Sequence, residues 1–160
     1  MTIYVFGYGA LLNLPLIKEL TQPKKSWPVV INGLKRSLNV MGQKHLVFGV
    51  KDVKTAWCNG VLFKVTENEL ARLQEREKLY TMKTVDKQRV EFPYKKTLRF
   101  KPADQMVCFY PQAKYVLTKK ELMAKKPLQS PDYLRICQTG AAAISADFYN
   151  DFIETTTTPV

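Results

Sequence analysis

The chain has 160 residues, of which 46% are hydrophobic and 24% are charged, and its formal net charge is +11. This length and composition predict one globular domain, residues 1–160, with a core large enough to fold unaided. No apolar run approaches the roughly 18–20 residues of a membrane-spanning helix, which argues against a membrane protein. The chain starts with Met1-Thr2 and enters a predicted strand without a charged leader, so we expect it in the cytoplasm.

The first elements form a strand-rich half with one short helix. Residues 2–6 are strongly β-prone and predict a buried strand. Asn13 is a candidate N-cap for a short helix that includes Leu16, Ile17 and Leu20. Further strands are predicted over residues 28–31, 34–40, 46–50 and 55–65.

A capping box, Thr66-Glu67-Asn68-Glu69, predicts the start of a helix that continues as LARLQEREKLY. Leu70 and Leu73 define its buried stripe, and the next position on that stripe is Glu77. A partly desolvated carboxyl has a raised pKa and becomes a general base usable near neutral pH. The alternative is that Glu77 lies at a frayed helix end and pairs with Arg72 or Lys78 on the surface.

The second half of the chain contains more strands and then helices. Strands are predicted over 84–92, 95–100 and 105–110, and Thr118 begins a short helix that ends before Pro127. Ser130-Pro131 begins a helix that closes near Gly140, and a last helix capped around Ser145 carries Phe148 and Phe152 toward the core. We expect the tail, residues 155–159, to fray. Because strands and helices do not alternate regularly, the predicted fold class is α+β.

Metal and cysteine chemistry have little support in the sequence. Cys58, Cys108 and Cys137 are widely separated, no CxxC occurs, and His45 is the sole histidine. These spacings give too few ligands for a zinc site, and they do not form a disulfide framework. We therefore predict three reduced structural thiols and no metal site. A catalytic role for His45 has no supporting motif.

The positive charge raises the alternative of a basic nucleic-acid-associated domain. Residues 83–126 hold twelve basic and four acidic side chains, whereas residues 127–160 hold one basic and four acidic side chains. The basic residues are mostly scattered lysines, without the dense arginine or the aromatic pattern of RNA-binding proteins. A solvated face or an attraction for anionic small molecules is favoured, and nucleic acid is not the expected partner.

The N-terminal stretch FGYGALLN places two glycines between a strand and a helix. It does not match GxGxxG, because Leu12 occupies the third glycine position, and no Walker motif follows. The turn offers exposed backbone N–H groups that can hold an anion or a carboxylate without charged side chains. The alternative is a tight structural turn with Tyr8 packed in the core.

Several motifs together resemble the γ-glutamylcyclotransferase family. They are FGYGALLN, GLKRSLNV, NGVLFKVTENELARLQEREKLY, VCFYPQ and SPDYLRICQTGA followed by FYNDFIETT. They cover most of the chain in the family's order. The C-terminal pattern is similar to that of bacterial members and of the ChaC-type, glutathione-degrading branch.

The resemblance implies a small mixed β-barrel flanked by helices, with one pocket. It implies a cofactor-free reaction that converts a γ-glutamyl amide into 5-oxoproline and a free amine. Glu77 matches the family's catalytic glutamate. The other matching positions form the substrate site: Tyr8, Gly9, Ala10, Leu11, Tyr80 and Tyr110.

Three positions depart from the family pattern: Ala10 stands where many relatives have serine, Leu79 lies in a step that usually contains glycine, and Met82 stands where an arginine often follows. These departures leave open a non-catalytic binding or regulatory protein on the same fold. The substrate also stays open among glutathione, γ-glutamyl amino acids and γ-glutamyl amines, as does the oligomeric state.

Overall fold

The structure is a computed structural model that describes residues 1–21, 23 and 25–159. Its strands are β1 (Ile3–Gly7), β2 (Ser26–Met41), β3 (Leu46–Val65), β4 (Tyr80–Thr84), β5 (Val90–Glu91), β6 (Gln105–Pro111) and β7 (Thr156–Thr157). Its α-helices are α1 (Glu67–Arg76), α2 (Lys119–Lys125), α3 (Pro131–Ile144) and α4 (Ala146–Glu154). Short 3-10 helices cover Ala10–Leu12, Leu14–Ile17, Lys87–Arg89 and Ala113–Tyr115. None of the described helices is long and apolar enough to cross a membrane.

The strands form one curled, mixed sheet in the order β4-β6-β1-β3-β2-β5, with β7 paired to β2. β1 runs parallel to β6 and antiparallel to β3, and β2 and β3 form a long antiparallel hairpin. The α+β class is confirmed, but the expectation of a closed barrel is corrected. Closure requires the two edge strands to pair. Within the described residues β4 and β5 stay unpaired with each other, and β5 is only two residues long.

The helix starts agree with the sequence. Thr66 and Glu69 form a reciprocal capping box at α1. The hydroxyls of Thr118, Ser130 and Ser145 accept hydrogen bonds from the first turns of α2, α3 and α4. Each of these caps satisfies a backbone N–H that has no partner inside the helix, which is why local sequence is sufficient to locate them.

Several predicted boundaries differ from the structure. Residues 95–100 are not a strand. The stretch 84–92 contains the last residue of β4, a 3-10 helix and the two-residue β5. Two long strands each replace two predicted ones. The single strand β2 covers the predicted strands 28–31 and 34–40, and the single strand β3 covers the predicted strands 46–50 and 55–65. Asn13 does not cap a helix with its side chain; its amide donates to the carbonyl of Ile136 in α3 (3.2 Å).

The C-terminal segment is held by a buried arginine. Arg36 of β2 is fully buried and its guanidinium donates to neutral oxygens only: the hydroxyls of Thr155 and Thr156, the side-chain and main-chain oxygens of Asn59, and the carbonyls of Phe152 and Tyr8. Its charge also lies 4.2 Å from the centre of the Phe152 ring. The prediction that residues 155–159 fray is therefore wrong for the part that forms β7 and binds Arg36.

Helix α3 packs closely against the 3-10 helix Ala10–Leu12 through Gly140. A Cβ at this position would lie 2.8 Å from the backbone nitrogen of Asn13 and 2.8 Å from the carbonyl carbon of Leu12. The helix continues four residues beyond Gly140 instead of closing there as predicted. Gly140 thus permits close contact between helix and loop, and its role is not that of a helix terminator.

We expect Gly140→Ala to lower the free energy of unfolding by about 1–3 kcal/mol, because the added methyl group meets backbone atoms that must shift. Helix propensity alone favours alanine over glycine by about 1 kcal/mol, so it predicts the opposite sign. Urea unfolding of the two proteins measures the difference. A variant as stable as the parent, or more stable, would contradict this packing.

Candidate active site

The loop after β1 forms one wall of a cavity of about 360 Å³. Tyr8–Leu11 lines it, and Ala10 and Leu11 are the first residues of the 3-10 helix that Gly9 precedes. The first N–H groups of a helix have no partner within the helix. In the described part of the chain, the N–H groups of Ala10 and Leu11 also find no other acceptor. The loop therefore presents two backbone donors beside the cavity.

Gly9 allows the loop to approach the opposite wall. A Cβ here would lie 3.2 Å from the hydroxyl oxygen of Tyr133 and 3.4 Å from the Cβ of Phe48. Tyr133 belongs to α3 and Phe48 to β3, and both line the same cavity. A side chain at position 9 would push into this narrow space, so glycine keeps the backbone donors next to the aromatic wall.

Glu77 reaches the cavity from the end of α1. The helix ends at Arg76, and Glu77 is its C-cap residue, with its N–H still donating to the carbonyl of Leu73 (2.9 Å). The backbone then turns, with the N–H of Tyr80 donating to the carbonyl of Glu77 (3.1 Å). The side chain is half-buried and lines the cavity between Arg76 and Lys78. Both sequence readings of Glu77 were partly right, because it lies at a helix end and also faces inward.

Three tyrosine hydroxyls around the cavity are already engaged with main-chain atoms. Tyr8 donates to the carbonyl of Phe109 (2.6 Å), and Tyr80 donates to the carbonyl of Phe48 (2.6 Å). The Tyr133 hydroxyl accepts from the N–H of Phe48 (3.0 Å). Burial raises the pKa of all three phenols, so they stay neutral near neutral pH. They act as fixed walls that hold β3, β6 and α3 together around the cavity.

The electrostatic environment of Glu77 differs from that of a surface carboxyl. Desolvation raises the pKa of Glu77, and the nearby charge of Arg76 opposes this rise without cancelling it. Within the described residues Glu77 has no salt-bridge partner, so the prediction of a surface pair with Arg72 or Lys78 is wrong. A carboxyl in this setting is suited to exchanging a proton with a bound molecule.

Tyr110 lies outside this cavity. Successive residues of a strand point to opposite faces of the sheet. Phe109 of β6 lines the cavity, whereas Tyr110 lines a separate depression and donates from its hydroxyl to Asp52 (2.8 Å). The other predicted substrate-site residues, Tyr8–Leu11 and Tyr80, do line the cavity together with Glu77. We therefore remove Tyr110 from the candidate site.

Sequence reasoning missed part of the cavity wall. Tyr133 lies in the SPDYLRIC segment. The Ser130-Pro131 signal there predicts where α3 begins, but it does not predict that Tyr133 lines the cavity. Gln43, Val47 and Phe48 come from the β2–β3 hairpin and the start of β3. Nothing local in the sequence marks these three, because their place depends on how the long hairpin bends over the loop. In the described part of the chain, no cluster of three metal-ligating side chains occurs.

Solved structures of similar fold exist at low sequence identity. A γ-glutamyl cyclotransferase has 13% identity over 98% of this chain and 89% of its own, with a TM-score of 0.70. A yeast γ-glutamyl cyclotransferase specific to glutathione has 14% identity over 97% of both chains, with a TM-score of 0.61. YkqA from Bacillus subtilis has 16% identity over 96% of this chain, with a TM-score of 0.66, and this chain spans 53% of its length.

The chain has the γ-glutamylcyclotransferase-like fold. This confirms the fold that the sequence resemblance implies. No family model matches the sequence. No curated protein matches it either. The structural likeness, at identities this low, concerns the fold.

Within this γ-glutamylcyclotransferase-like fold, the three departures from the family pattern lie in different surroundings. Ala10 lines the cavity and keeps its backbone N–H, although it lacks the hydroxyl of serine. Leu79 also lines the cavity and adds an apolar surface beside Glu77. Met82 is half-buried and packs against the hydrophobic core. Ala10 and Leu79 are therefore the two departures that line the cavity, and Met82 is not among its lining residues.

The raised pKa of Glu77 predicts a pH-dependent contribution to stability. Its unfolded-state pKa is about 4.3, and desolvation raises the folded-state pKa above this value. Between the two pKa values the folded state binds more protons, so stability falls as the pH rises through this window. Glu77→Gln removes this fall. We expect the variant to gain stability relative to the parent as the pH rises from about 4 toward neutrality.

Urea unfolding of both proteins across this pH range measures the effect. Glu75→Gln is the matched control, because Glu75 is exposed on the same helix. The quantity to follow is the free energy of unfolding of Glu77→Gln minus that of the parent. If this quantity stays constant or becomes more negative as the pH rises, Glu77 is not desolvated in the folded state.

Proposed function

We propose that this chain is a γ-glutamylcyclotransferase that converts a γ-glutamyl amide into 5-oxoproline and a free amine. The observation that carries the proposal is the juxtaposition of Glu77 with the unpartnered N–H groups of Ala10 and Leu11 around one cavity. Its volume of about 360 Å³ lies within the range of small-molecule sites. The fold of structures described as γ-glutamyl cyclotransferases supports the same reaction class.

The chemistry required is modest because the reactants are already joined. The α-amine of the γ-glutamyl group attacks its own side-chain carbonyl carbon, a C–N bond forms, and a five-membered ring closes. The enzyme has to hold the bent conformer, and fixing such an intramolecular geometry is worth roughly 7–11 kcal/mol. The backbone donors of the loop hold the α-carboxylate, which positions the α-amine near Glu77.

Glu77 moves one proton in this reaction. As a carboxylate it accepts a proton from the attacking amine, and as a carboxylic acid it returns that proton to the leaving nitrogen when the amide C–N bond breaks. The raised pKa of Glu77 supports both steps, because a general acid–base group works best when its pKa lies closer to the pH of the reaction. The hydroxyls of Tyr8 and Tyr80 donate to main-chain carbonyls and serve as walls. No step requires a cofactor or a metal ion.

A non-catalytic binding protein for a γ-glutamyl compound is the second candidate. Leu79 favours it, because this apolar side chain stands beside Glu77 at a step where the family pattern has glycine. Such a protein would use the same loop donors and cavity without turnover. The cytoplasmic location, the single-domain organisation and the absence of a nucleic-acid partner stay predictions.

The test is an assay for 5-oxoproline by mass spectrometry. The protein is incubated with glutathione, γ-glutamyl amino acids and γ-glutamyl amines, each beside its α-linked isomer. Our proposal predicts 5-oxoproline from at least one γ-linked compound and none from the α-linked isomers. Saturable binding of a γ-linked compound without product would favour the second candidate, and neither binding nor product would reject both.

A further inference from the structure

A second depression, of about 420 Å³, lies on the face of the β2–β3 hairpin away from α4. Along β2 the buried residues Leu34, Arg36 and Leu38 alternate with Lys35, Ser37 and Asn39. Arg36 contacts Phe152 of α4, so the alternate residues face the other way. These alternate residues line the depression together with Lys51, Lys83 and Tyr110. It shares no lining residue with the candidate active site.

The depression brings like charges together. Lys35 of β2 and Lys51 of β3 are direct cross-strand partners, so their side chains project from the same face of the sheet. Two like charges in this relation destabilise a strand pair. The Lys83 ammonium from β4 lies 4.8 Å from the centre of the Tyr110 ring at the same depression. In the part of the chain that the structure describes, none of the three lysines forms a salt bridge.

The carboxylate at this site is already used by other groups. Asp52 accepts hydrogen bonds from Arg89 (3.0 Å) and from the Tyr110 hydroxyl (2.8 Å) through the same oxygen. These contacts and nearby Lys83 hold the pKa of Asp52 below its usual value, although partial burial opposes this. Asp52 thus pairs with Arg89 and fixes the Tyr110 ring, and among the described residues no carboxylate lies within salt-bridge distance of Lys35, Lys51 or Lys83.

Neutral donors complete the lining. Ser37 and Asn39 are half-buried in the depression, and within the described residues their side chains make no hydrogen bond. Gly49 faces Ser37 across the hairpin, and the side chains of Val40 and Pro111 occupy the space where a side chain at position 49 would lie. The result is a recess lined by three lysines, a serine and an asparagine, with the Lys83 ammonium over the Tyr110 ring.

We propose that this depression is a binding site for the phosphate group of a small molecule. A phosphate offers about two negative charges and several acceptor oxygens, which suits lysine ammonium groups with adjacent hydroxyl and amide donors. Bound phosphate offsets the repulsion between Lys35 and Lys51. The proposal does not depend on the proposed cyclotransferase reaction, because the two sites are separate.

The test is thermal unfolding of the full chain in inorganic phosphate and in sodium chloride of equal ionic strength. We expect phosphate to raise the midpoint saturably, by about 3–5 °C at ten times its dissociation constant. Lys51→Glu should unfold at a higher temperature than the parent in chloride, because the new carboxylate pairs with Lys35. It should also lose the phosphate-specific rise. Lys54→Glu, the same charge change at an exposed position of β3 outside the depression, should keep that rise.

Ribose 5-phosphate in place of inorganic phosphate distinguishes the sources of the group. A larger rise with the sugar phosphate identifies a phosphorylated metabolite as the ligand, and an equal rise identifies free phosphate. An equal phosphate effect on the parent and on Lys51→Glu would overturn the proposal, as would no effect beyond that of chloride. Binding of a single-stranded oligonucleotide that Lys51→Glu weakens, without any effect of the small phosphates, would replace it with a nucleic-acid contact.

Discussion

Glu77→Gln is expected to lower the rate of 5-oxoproline formation by about 10²–10⁴-fold, the usual contribution of a positioned general acid–base group. Glutamine keeps the size of the side chain but cannot exchange the proton between the attacking amine and the leaving nitrogen. The fold should persist, because Glu77 is only half-buried and its backbone hydrogen bonds to Leu73 and Tyr80 do not involve the side chain. The measurement is the initial rate with the best γ-glutamyl amide from the panel.

Two comparisons make this result specific. Glu75→Gln makes the same chemical change two residues away on the surface of α1 and should leave the rate unchanged. Substrate affinity of Glu77→Gln, measured by calorimetry, should stay within a fewfold of the parent, because in the proposed mechanism the loop donors, and not Glu77, hold the α-carboxylate. Full activity in Glu77→Gln would remove Glu77 from the mechanism even if the chain proved to be a cyclotransferase.

Arg36→Met is expected to lower the free energy of unfolding by about 3–5 kcal/mol, near the upper end for single substitutions. Methionine fills much of the same volume but donates no hydrogen bond. The change would remove the guanidinium donors from the buried oxygens of Asn59 and Tyr8, whereas the carbonyl of Phe152 would keep the hydroxyl of Thr156 as a donor. The hydroxyls of Thr155 and Thr156 would lose their guanidinium donor and keep their own donation to the carbonyls of Asp151 and Phe152. With the contact to β2 weakened, β7 should lose protection from hydrogen exchange.

Thermal unfolding measures the loss, and we expect the midpoint to fall by about 10 °C. Arg135→Met is the control, because Arg135 is exposed and its salt-bridge partner is Asp132, three residues earlier on α3. Arg36→Lys should recover little, since a single ammonium cannot reach oxygens on several sides as the planar guanidinium does. If Arg36→Met unfolds within 2 °C of the parent, roughly the effect expected at a surface site, the arginine does not anchor the C-terminus.

The parts of the fold that local sequence determines were predicted well. The caps at Thr66, Thr118, Ser130 and Ser145 depend on residues within one helical turn, so each pattern specifies its own helix start. The inward position of Glu77 followed from the leucine stripe of α1. The loop Tyr8–Leu11 followed from its glycines and from its place directly after a buried strand.

The features that were mispredicted depend on contacts between distant parts of the chain. From the sequence alone, the C-terminal threonines are typical of a polar tail. In the structure their hydroxyls accept hydrogen bonds from Arg36, which lies about 120 residues earlier in the chain. Tyr110 was predicted to lie at the site because it ends a predicted strand. The sequence did not predict that Phe109, and not Tyr110, lies on the side of this strand that faces the cavity. Which face Phe109 and Tyr110 present depends on the register with β1 and β4, which no local pattern encodes. The open sheet edge has the same origin, since barrel closure is decided by pairing between β4 and β5.

The same long-range contacts link stability to the candidate site. Arg36 donates to the carbonyl of Tyr8 (3.3 Å), the first residue of the loop, and Gly140 brings α3 against the 3-10 helix that follows. The backbone donors are therefore held from two sides by Arg36 and Gly140, neither of which lines the cavity. A loop fixed in this way would lose little conformational entropy on binding the carboxylate of the proposed substrate.

The most direct test of the central claim follows binding and product in one sample by NMR. Protein labelled with ¹⁵N is mixed with the γ-glutamyl amides, while the backbone signals and the 5-oxoproline protons are recorded together. We predict that the amide signals of Ala10 and Leu11 shift on addition and that 5-oxoproline then accumulates. Accumulation of 5-oxoproline without a shift at these two residues would contradict the account, and so would a folded protein that gives neither.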